Sequence, residues 1–338
     1  MNKYKIAVIG FGHIGRRHAT IIHEYPETEL AAIIDIDPLV TKHDLYPKNV
    51  PFFESIDAFI EANIACDVVN ICTPNFYHIP YAIQAMENQK HVVIEKPMGL
   101  NKAECEKAIE VSQQNDKRIF VVKQNRYSPP SKWLKEVVDK GLLGDIYLVQ
   151  NNCFWNRDER YYTPRTWRGD KELDGGVLFT QFSHFIDIMH WIFGDVKNVK
   201  TVIKNFSHKE LTEFPDSGIS HFEFIKGGIG SIQFSTSVWD QNMESSITVI
   251  GSKGSVKIGG QYMDKVEYCH IDGIETPKLP NTNPPNDYGP FKGSAANHHY
   301  VIENLVKTLN GETEINANAQ ESMKVVEIIE KIYAAGGE

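Results

Sequence analysis

Three glycines carry the first chemical signal. Gly10, Gly12 and Gly15 stand in the segment GFGHIG, behind a short apolar run at Lys5–Ile9 and ahead of a helical stretch from Ile14 to Glu24. This is how a chain grips a diphosphate. The first glycine permits a tight turn, the second lets the backbone approach the pyrophosphate, and the third lets helix and strand pack closely. The helix start adds unpaired N–H groups and partial positive charge. A second apolar run, Leu30–Ile34, ends at Asp35, twenty residues beyond Gly15. A carboxylate there accepts from both ribose hydroxyls of a dinucleotide and repels a 2′-phosphate, so the fingerprint predicts NAD rather than NADP. Asp37 competes for the role, but Pro38 follows it and puts it in the turn. Phe11, His13, Ile14 and Ile36 flank these positions and are expected to line the same site.

More polar residues collect where later strands should end. The run Asp67–Cys72 is followed by Thr73, Pro74, Asn75 and His78, and His91–Ile94 by Glu95, Lys96 and Pro97. In an open parallel sheet, ligands bind beyond the carboxyl ends of the strands. Residues 176–193 read as one buried helix whose polar members are Thr180, Gln181, His184 and Asp187, with His190 near its end. Thr180, His184 and Asp187 fall at i, i+4 and i+7, on one face. Such a stripe either meets buried partners or faces a cavity. A core histidine satisfied by Asp187 and a working acid–base histidine both fit. The stretch 157–168 sets Arg157, Arg160, Arg165 and Arg168 among Tyr161, Tyr162 and Trp167. Guanidinium forks and aromatic faces suit a phosphate and a base. Asp158, Glu159, Asp170 and Glu172 nearly neutralise them, so a salt-bridged loop is the competing reading. The doublet His298-His299 has no third ligand at a usable spacing, and no metal is expected.

These groups need two scaffolds. At 338 residues the chain is expected to form two domains, 1–123 and 124–338. The first reads as an α/β, doubly wound parallel sheet. Asn101 with Glu104 forms a capping box, and Arg118–Val122 is its last strand. From Gln124 the pattern changes. A helix at Ser131–Lys140 and a strand at Ile146–Asn156 lead to runs of period two at Val199–Lys204, Gly218–Phe224, Gly230–Val238, Ser246–Ile250 and Ser255–Ile258. They predict an α+β domain with an open, mainly antiparallel sheet. Helices at Asn297–Leu309 and Ala319–Ala334 follow a proline-rich loop at Pro277–Pro290. A hydrophobic content of 41% and a charged content of 23% are those of a soluble globular chain, with no apolar run of membrane length and no signal-peptide pattern. The net charge of −9 argues against nucleic acid. Five scattered cysteines suggest the reducing cytoplasm.

GFGHIG, CTPNFYH and EKP, in this order and spacing, resemble the GFO/IDH/MocA oxidoreductases, and the resemblance spans the chain. It implies that Lys96 is catalytic and that His184 is its acid–base partner. Thr180 stands where that family often has Asp, and Phe182 replaces a Gly. The resemblance also puts Gln124, Trp167 and Arg168 with Thr73, Pro74, Asn75, His78, Glu95 and Lys96 at the cofactor, and Tyr300 at the substrate. Oxidation of a secondary alcohol would then use NAD as hydride acceptor, His184 as proton acceptor and Lys96 to stabilise the alkoxide, in a cleft between the domains. The segment from Asn152 to Gly194 further resembles the bacterial UDP-N-acetylglucosaminuronate 3-dehydrogenases of O-antigen synthesis. That implies a nucleotide-sugar substrate bound by Lys96, Arg157, Arg160, Tyr161, Arg165, Thr180, Gln181 and His184, and a homodimer or homotetramer. A dehydrogenase of inositol or a free sugar, and a silent NAD-binding sensor, are the alternatives.

Overall fold

The computed structural model describes residues 3–163 and 167–337. They form two compact units. The first runs to Val122 and takes in His298–Met323; the second is Lys123–Asn297 with the chain from Lys324 on. The return of His298–Met323 departs from the expected single division at 123/124. Its cause is the helix α10 (His298–Leu309), whose apolar face buries Val301, Ile302, Leu305 and Val306 and which packs on the first helix of the chain.

The first unit is built from β1 (Tyr4–Ile9), α1 (His13–Glu24), β2 (Thr28–Ile34), β3 (Phe52–Phe53), α2 (Ile56–Glu61), β4 (Val68–Ile71), α3 (His78–Glu87), β5 (His91–Ile94), α4 (Lys102–Gln114) and β6 (Ile119–Val121). Its sheet has the order β3-β2-β1-β4-β5-β6, and every pairing is parallel. The order reverses between β1 and β4, which makes their carboxyl ends the natural ligand crevice. All four residues of β4 are buried, as a strand covered on both faces requires. Asn101 caps α4 by accepting from the Glu104 N–H at 2.9 Å, half of the expected capping box.

The second unit contains α5 (Pro129–Asp139), β7 (Ile146–Phe154), α6 (Glu159–Tyr162), α7 (Lys171–Asp174), α8 (Val177–Thr180), α9 (Ser183–Phe193), β8 (Val196–Lys204), β9 (Ser217–Phe224), β10 (Ile229–Ser235), β11 (Glu244–Gly251), β12 (Gly254–Gly259), β13 (Lys265–Ile271), β14 (Pro285–Asp287) and β15 (Lys292–Ala295). Helix α10 (His298–Leu309) belongs to the first unit, and α11 (Ala319–Gly336) ends in the second. The seven-stranded sheet runs β13-β12-β11-β7-β10-β9-β8. It is antiparallel except for β7 and β10, which pair in parallel. Phe222 and Phe224 of β9 point inward while Ile219 and Glu223 face out. Every residue of α9 except Trp191 is buried.

Three local features differ from the sequence reading. The expected helix over 176–193 is two helices, because the Phe182 N–H turns back to the Val177 carbonyl and the ladder restarts at Phe182. The strand β13 escapes detection because most of its residues are exposed or half-buried, as at a sheet edge. Within the expected loop 277–290 the chain starts a small hairpin, β14 with β15. No helix among the described residues is long and apolar enough to cross a membrane.

Candidate active site

The dinucleotide grip follows from steric facts at the glycines. Gly10 has φ +86°, and a Cβ there would lie 2.7 Å from the Cys72 carbonyl oxygen. A Cβ on Gly15 would lie 1.8 Å from the Gly10 carbonyl oxygen. A Cβ on Gly12 would meet nothing within 4 Å, so the chain leaves open space just where α1 begins. No side chain caps that helix start, so its N–H groups remain for an anion. Asp35 is held in place before any ligand arrives. Its Oδ2 accepts from the Phe11 N–H at 2.6 Å and its Oδ1 from the Asp37 N–H at 2.9 Å. Asp37 instead caps the following turn by accepting from the Leu39 N–H. These residues fit a dinucleotide with a free ribose diol. Replacing Asp35 with serine is expected to narrow the preference for NAD over NADP, because it removes the charge that repels a 2′-phosphate. Calorimetric titration of both dinucleotides checks this; equal affinities in the unmodified chain would overturn it.

Beyond β4 and β5 the chain builds a support for Lys96. His78 is buried, with one ring nitrogen 2.7 Å from the Pro97 carbonyl oxygen and the other 3.0 Å from that of Thr73. It ties the two strand-end turns together. Asn75, also buried, opens the short turn of 75–77. Glu95 points inward too. Its Oε1 lies 3.0 Å from His18 Nε2 and 3.6 Å from His298 Nε2, and its Oε2 accepts from the Lys96 backbone N–H at 3.0 Å. Burial alone would raise the Glu95 pKa, but the hydrogen bond from His18, with Lys96 nearby, holds it well below the usual carboxylate range. Burial pushes His298 down to about 3. Both His78 and Glu95 thus spend their polar atoms on the fold around Lys96, where the sequence reading gave them to the cofactor.

His18, Glu95 and His298 bring three potential metal-ligand atoms within 4.8 Å of one another. The sequence had offered His298 no third ligand. Hydrogen bonding accounts for His18 and Glu95: the Asn70 amide donates to His18 Nδ1 at 2.8 Å, so Nε2 carries the proton and points it at Glu95, while His298 Nε2 at 3.6 Å lies beyond hydrogen-bond distance.

In the second unit, His184 is buried in the first turn of α9. Asp187, one turn on, belongs to other partners. Arg126 donates Nε to Oδ2 and Nη2 to Oδ1, both at 2.8 Å, and Lys123 Nζ is 3.6 Å from Oδ1. Burial alone would raise the Asp187 pKa, but the two cations hold it down at about 2. The sequence reading missed Lys123 and Arg126; the polar run from Lys123 to Arg126, placed straight after a buried strand, was the available signal. Gln124 is buried and donates to Ser294 Oγ at 3.2 Å.

The arginine loop divides. Arg157 is buried over the rings of Trp155, Phe291 and Tyr161, at 4.8, 5.1 and 5.3 Å, and donates to Asn242 and to the Lys292 carbonyl. Arg160 is salt-bridged to Asp158 at 2.7 Å and to Asp240 at 3.2 Å. Asp158 and Asp240 hold Arg160, while the Asn156 and Lys292 carbonyls and Asn242 take the terminal nitrogens of Arg157, whose Nε–H is buried without an acceptor among the described residues. Arg165 lies outside the described residues. Arg168 is less enclosed than Arg157, being half-buried. Its guanidinium lies 4.6 Å over the Tyr161 ring and 5.6 Å over Trp167, and its Nε–H is buried without an acceptor among the described residues. Gln181 donates to the Tyr161 hydroxyl at 2.9 Å, and Thr180 to the carboxylate of Asp174. Tyr300, half-buried in the first turn of α10, lies in the first unit.

A parallel sheet with a glycine-lined turn, a fixed carboxylate at the end of its second strand and a strand-end lysine is the build of an NAD-binding oxidoreductase domain. Residues 4–123 match the oxidoreductase family with an NAD-binding Rossmann fold, and residues 132–257 match the GFO/IDH/MocA C-terminal domain. The chain belongs to the GFO/IDH/MocA oxidoreductase family. It is similar to the WlbA dehydrogenase of Bordetella pertussis, solved with NADH and UDP-GlcNAcA, with 26% identity, a TM-score of 0.89 and coverage of 99% of this chain and 97% of that one. The WlbA dehydrogenase of Chromobacterium violaceum, with the same two ligands, gives 27%, 0.88, 100% and 94%. Glucose-6-phosphate 3-dehydrogenase of Bacillus subtilis is 24% identical over 97% of this chain and 95% of its own length. Other curated relatives align over as little as 52% and 61% of their own lengths.

Proposed function

We propose that this chain is an NAD-dependent dehydrogenase that oxidises the C3 hydroxyl of a UDP-linked 2-acetamido-2-deoxy uronic acid to the 3-keto sugar. The observation that carries the reading is Arg168. A buried guanidinium N–H without an acceptor costs free energy until a ligand supplies one, and an aromatic pair beside it suits a charged, planar ligand. The near full-length likeness to two dehydrogenases bound to NADH and UDP-GlcNAcA supports the same ligand here.

In this reading NAD, when bound, accepts the hydride. Gly10–Gly15 and Asp35 hold the dinucleotide, with Thr73, Pro74 and Asn75 at the neighbouring strand end. Lys96 donates a hydrogen bond to the reacting hydroxyl and stabilises the charge that grows on its oxygen. His184 takes the hydroxyl proton. Arg168 binds an anionic group of the substrate, with Tyr161, Thr180 and Gln181 ordered around it. Because the protein is acidic overall, such local cations must overcome a general repulsion of the ligand. The outer face of the second unit's sheet exposes Val202, Ile219, Ile229 and Tyr268, and we assign it to contact with another copy of the chain. Free cysteines and a soluble nucleotide-sugar substrate fit the cytoplasm.

The assay follows NADH formation, or product mass with 2-oxoglutarate added in case the cofactor is reoxidised in place. Reaction with the UDP-sugar acid and little with UDP-N-acetylglucosamine is the expected result. Replacing Arg168 with methionine should raise KM for the acid about 10- to 100-fold, the scale of one charge-assisted contact. Faster turnover of inositol or an unphosphorylated sugar would overturn the assignment.

A further inference from the structure

Asp174 has no part in the proposed chemistry, and nothing in its sequence neighbourhood singles it out. It is fully buried at the end of α7, before Gly175 and Gly176, whose φ angles are +80° and +112°. Its carboxylate joins two segments of the candidate substrate site. Oδ2 accepts from the Gly169 N–H at 3.1 Å, directly after Arg168, and Oδ1 accepts from the Thr180 hydroxyl at the end of α8. The Gly176 N–H also bonds to this carboxylate. Position 180 itself carries no carboxylate, and Asp174 brings one to its side chain.

We propose that Asp174 is a positioning residue for the substrate: its ionised carboxylate fixes the Arg168–Gly169 turn against Thr180 and so sets the geometry in which Arg168 meets an anionic ligand. The inference rests on the assignment of Arg168 to the substrate. Burial pushes the Asp174 carboxyl up to about 6, against the hydrogen bonds from Thr180, Gly169 and Gly176 and the charge of Arg168. The titratable groups that face it are Arg168, Tyr161 and Tyr162. A carboxyl whose folded pKa is raised binds more protons folded than unfolded, so it costs stability as pH rises from its unfolded pKa, near 4, through about 6. Keeping such a group ionised at neutral pH is a burden on the fold, and that separates a functional role from a structural one.

The test uses the full chain with NAD. At pH 7.5, Asp174→Asn should raise the melting temperature, and the difference from the unmodified chain should vanish below pH 4. The same variant should raise KM for the sugar substrate by at least about fivefold, the scale of one lost hydrogen bond, with NAD affinity unchanged. In the unmodified chain KM should climb as pH falls through about 6, and the variant should lack that step. Thr180→Val, which cuts one arm and leaves the carboxylate, should raise KM less and keep the step; it carries the test if the asparagine variant does not fold. An unchanged KM in both variants, or a lower melting temperature in an Asp174→Asn variant that folds, would overturn the proposal. If the unmodified chain ignores the UDP-sugar acid, the substrate assignment fails. The same comparison is then made on the sugar it does oxidise, where the KM step and the stability gain must still appear.

Discussion

Replacing Lys96 with alanine, or His184 with asparagine, should each lower kcat by at least about 100-fold, the usual loss when an oxyanion-stabilising or acid–base group is removed. The two variants should differ in kind. Without Lys96 the growing negative charge on the substrate oxygen has lost its cation, and adding base does not restore it. Without His184 the proton has lost its acceptor, so turnover should recover in part as pH rises and hydroxide takes over. NAD affinity should stay close to that of the unmodified chain in both, because the proposed reading gives the dinucleotide to the glycine turn and Asp35. Stopped-flow rates with saturating NAD, read across pH, check both claims. Normal turnover in His184→Asn would return that histidine to a purely structural role and leave Lys96 without the partner proposed here.

The second large effect falls on stability. Arg126→Leu should cost about 3–5 kcal/mol, because it strands a buried carboxylate rather than merely removing a contact. Arg126 and Asp187 are both essentially inaccessible, and their fork makes two 2.8 Å hydrogen bonds. Lys123, 3.6 Å away, gives only partial compensation. The pH dependence has a definite sign. Asp187 has a depressed folded pKa, about 2, so its pairing stabilises the chain fully above the unfolded value near 4. That stability is lost as pH falls through about 2. Denaturant unfolding of Arg126→Leu at pH 7 checks the magnitude. A loss below about 1 kcal/mol would mean that the site relaxes and admits water, contrary to the burial of the pair. Since His184 lies one turn from Asp187 on α9, a variant that still folds should also show a lowered kcat.

The legible parts of this molecule are those fixed by neighbours in sequence. GFGHIG must turn, approach and pack within six residues, and Asp35 is set by the length of one helix and one strand. Asn101 capping α4 is equally local. What the sequence concealed depends on distant segments. Asp187 looked available to His184 at i+3, yet Arg126, sixty-one residues earlier, holds it. Arg157 and Arg168 look alike in the chain. One is buried among Trp155, Phe291 and Tyr161 with its terminal nitrogens bonded, and the other is only half-buried, beside Tyr161 and Trp167. His78 and Glu95 were placed correctly at strand ends, but the direction of their side chains is decided by Pro97, His18 and His298. Asp174 gave no signal, since a carboxylate beside two glycines reads as an ordinary exposed turn.

The chain passes from one unit to the other at Val122, at Asn297 and again at Met323, and this bears on how such proteins can be recombined. A chimaera spliced once near residue 122 would not exchange a substrate unit cleanly. It would carry the donor's α10 into the recipient's nucleotide unit, where His298 must sit against Glu95 and His18. The support beneath Lys96 would then be assembled from two ancestries. A graft that keeps segment 298–323 with its own first unit needs three junctions, so descent with altered substrate should proceed more readily by point changes in segments such as 167–176 than by exchange of whole units.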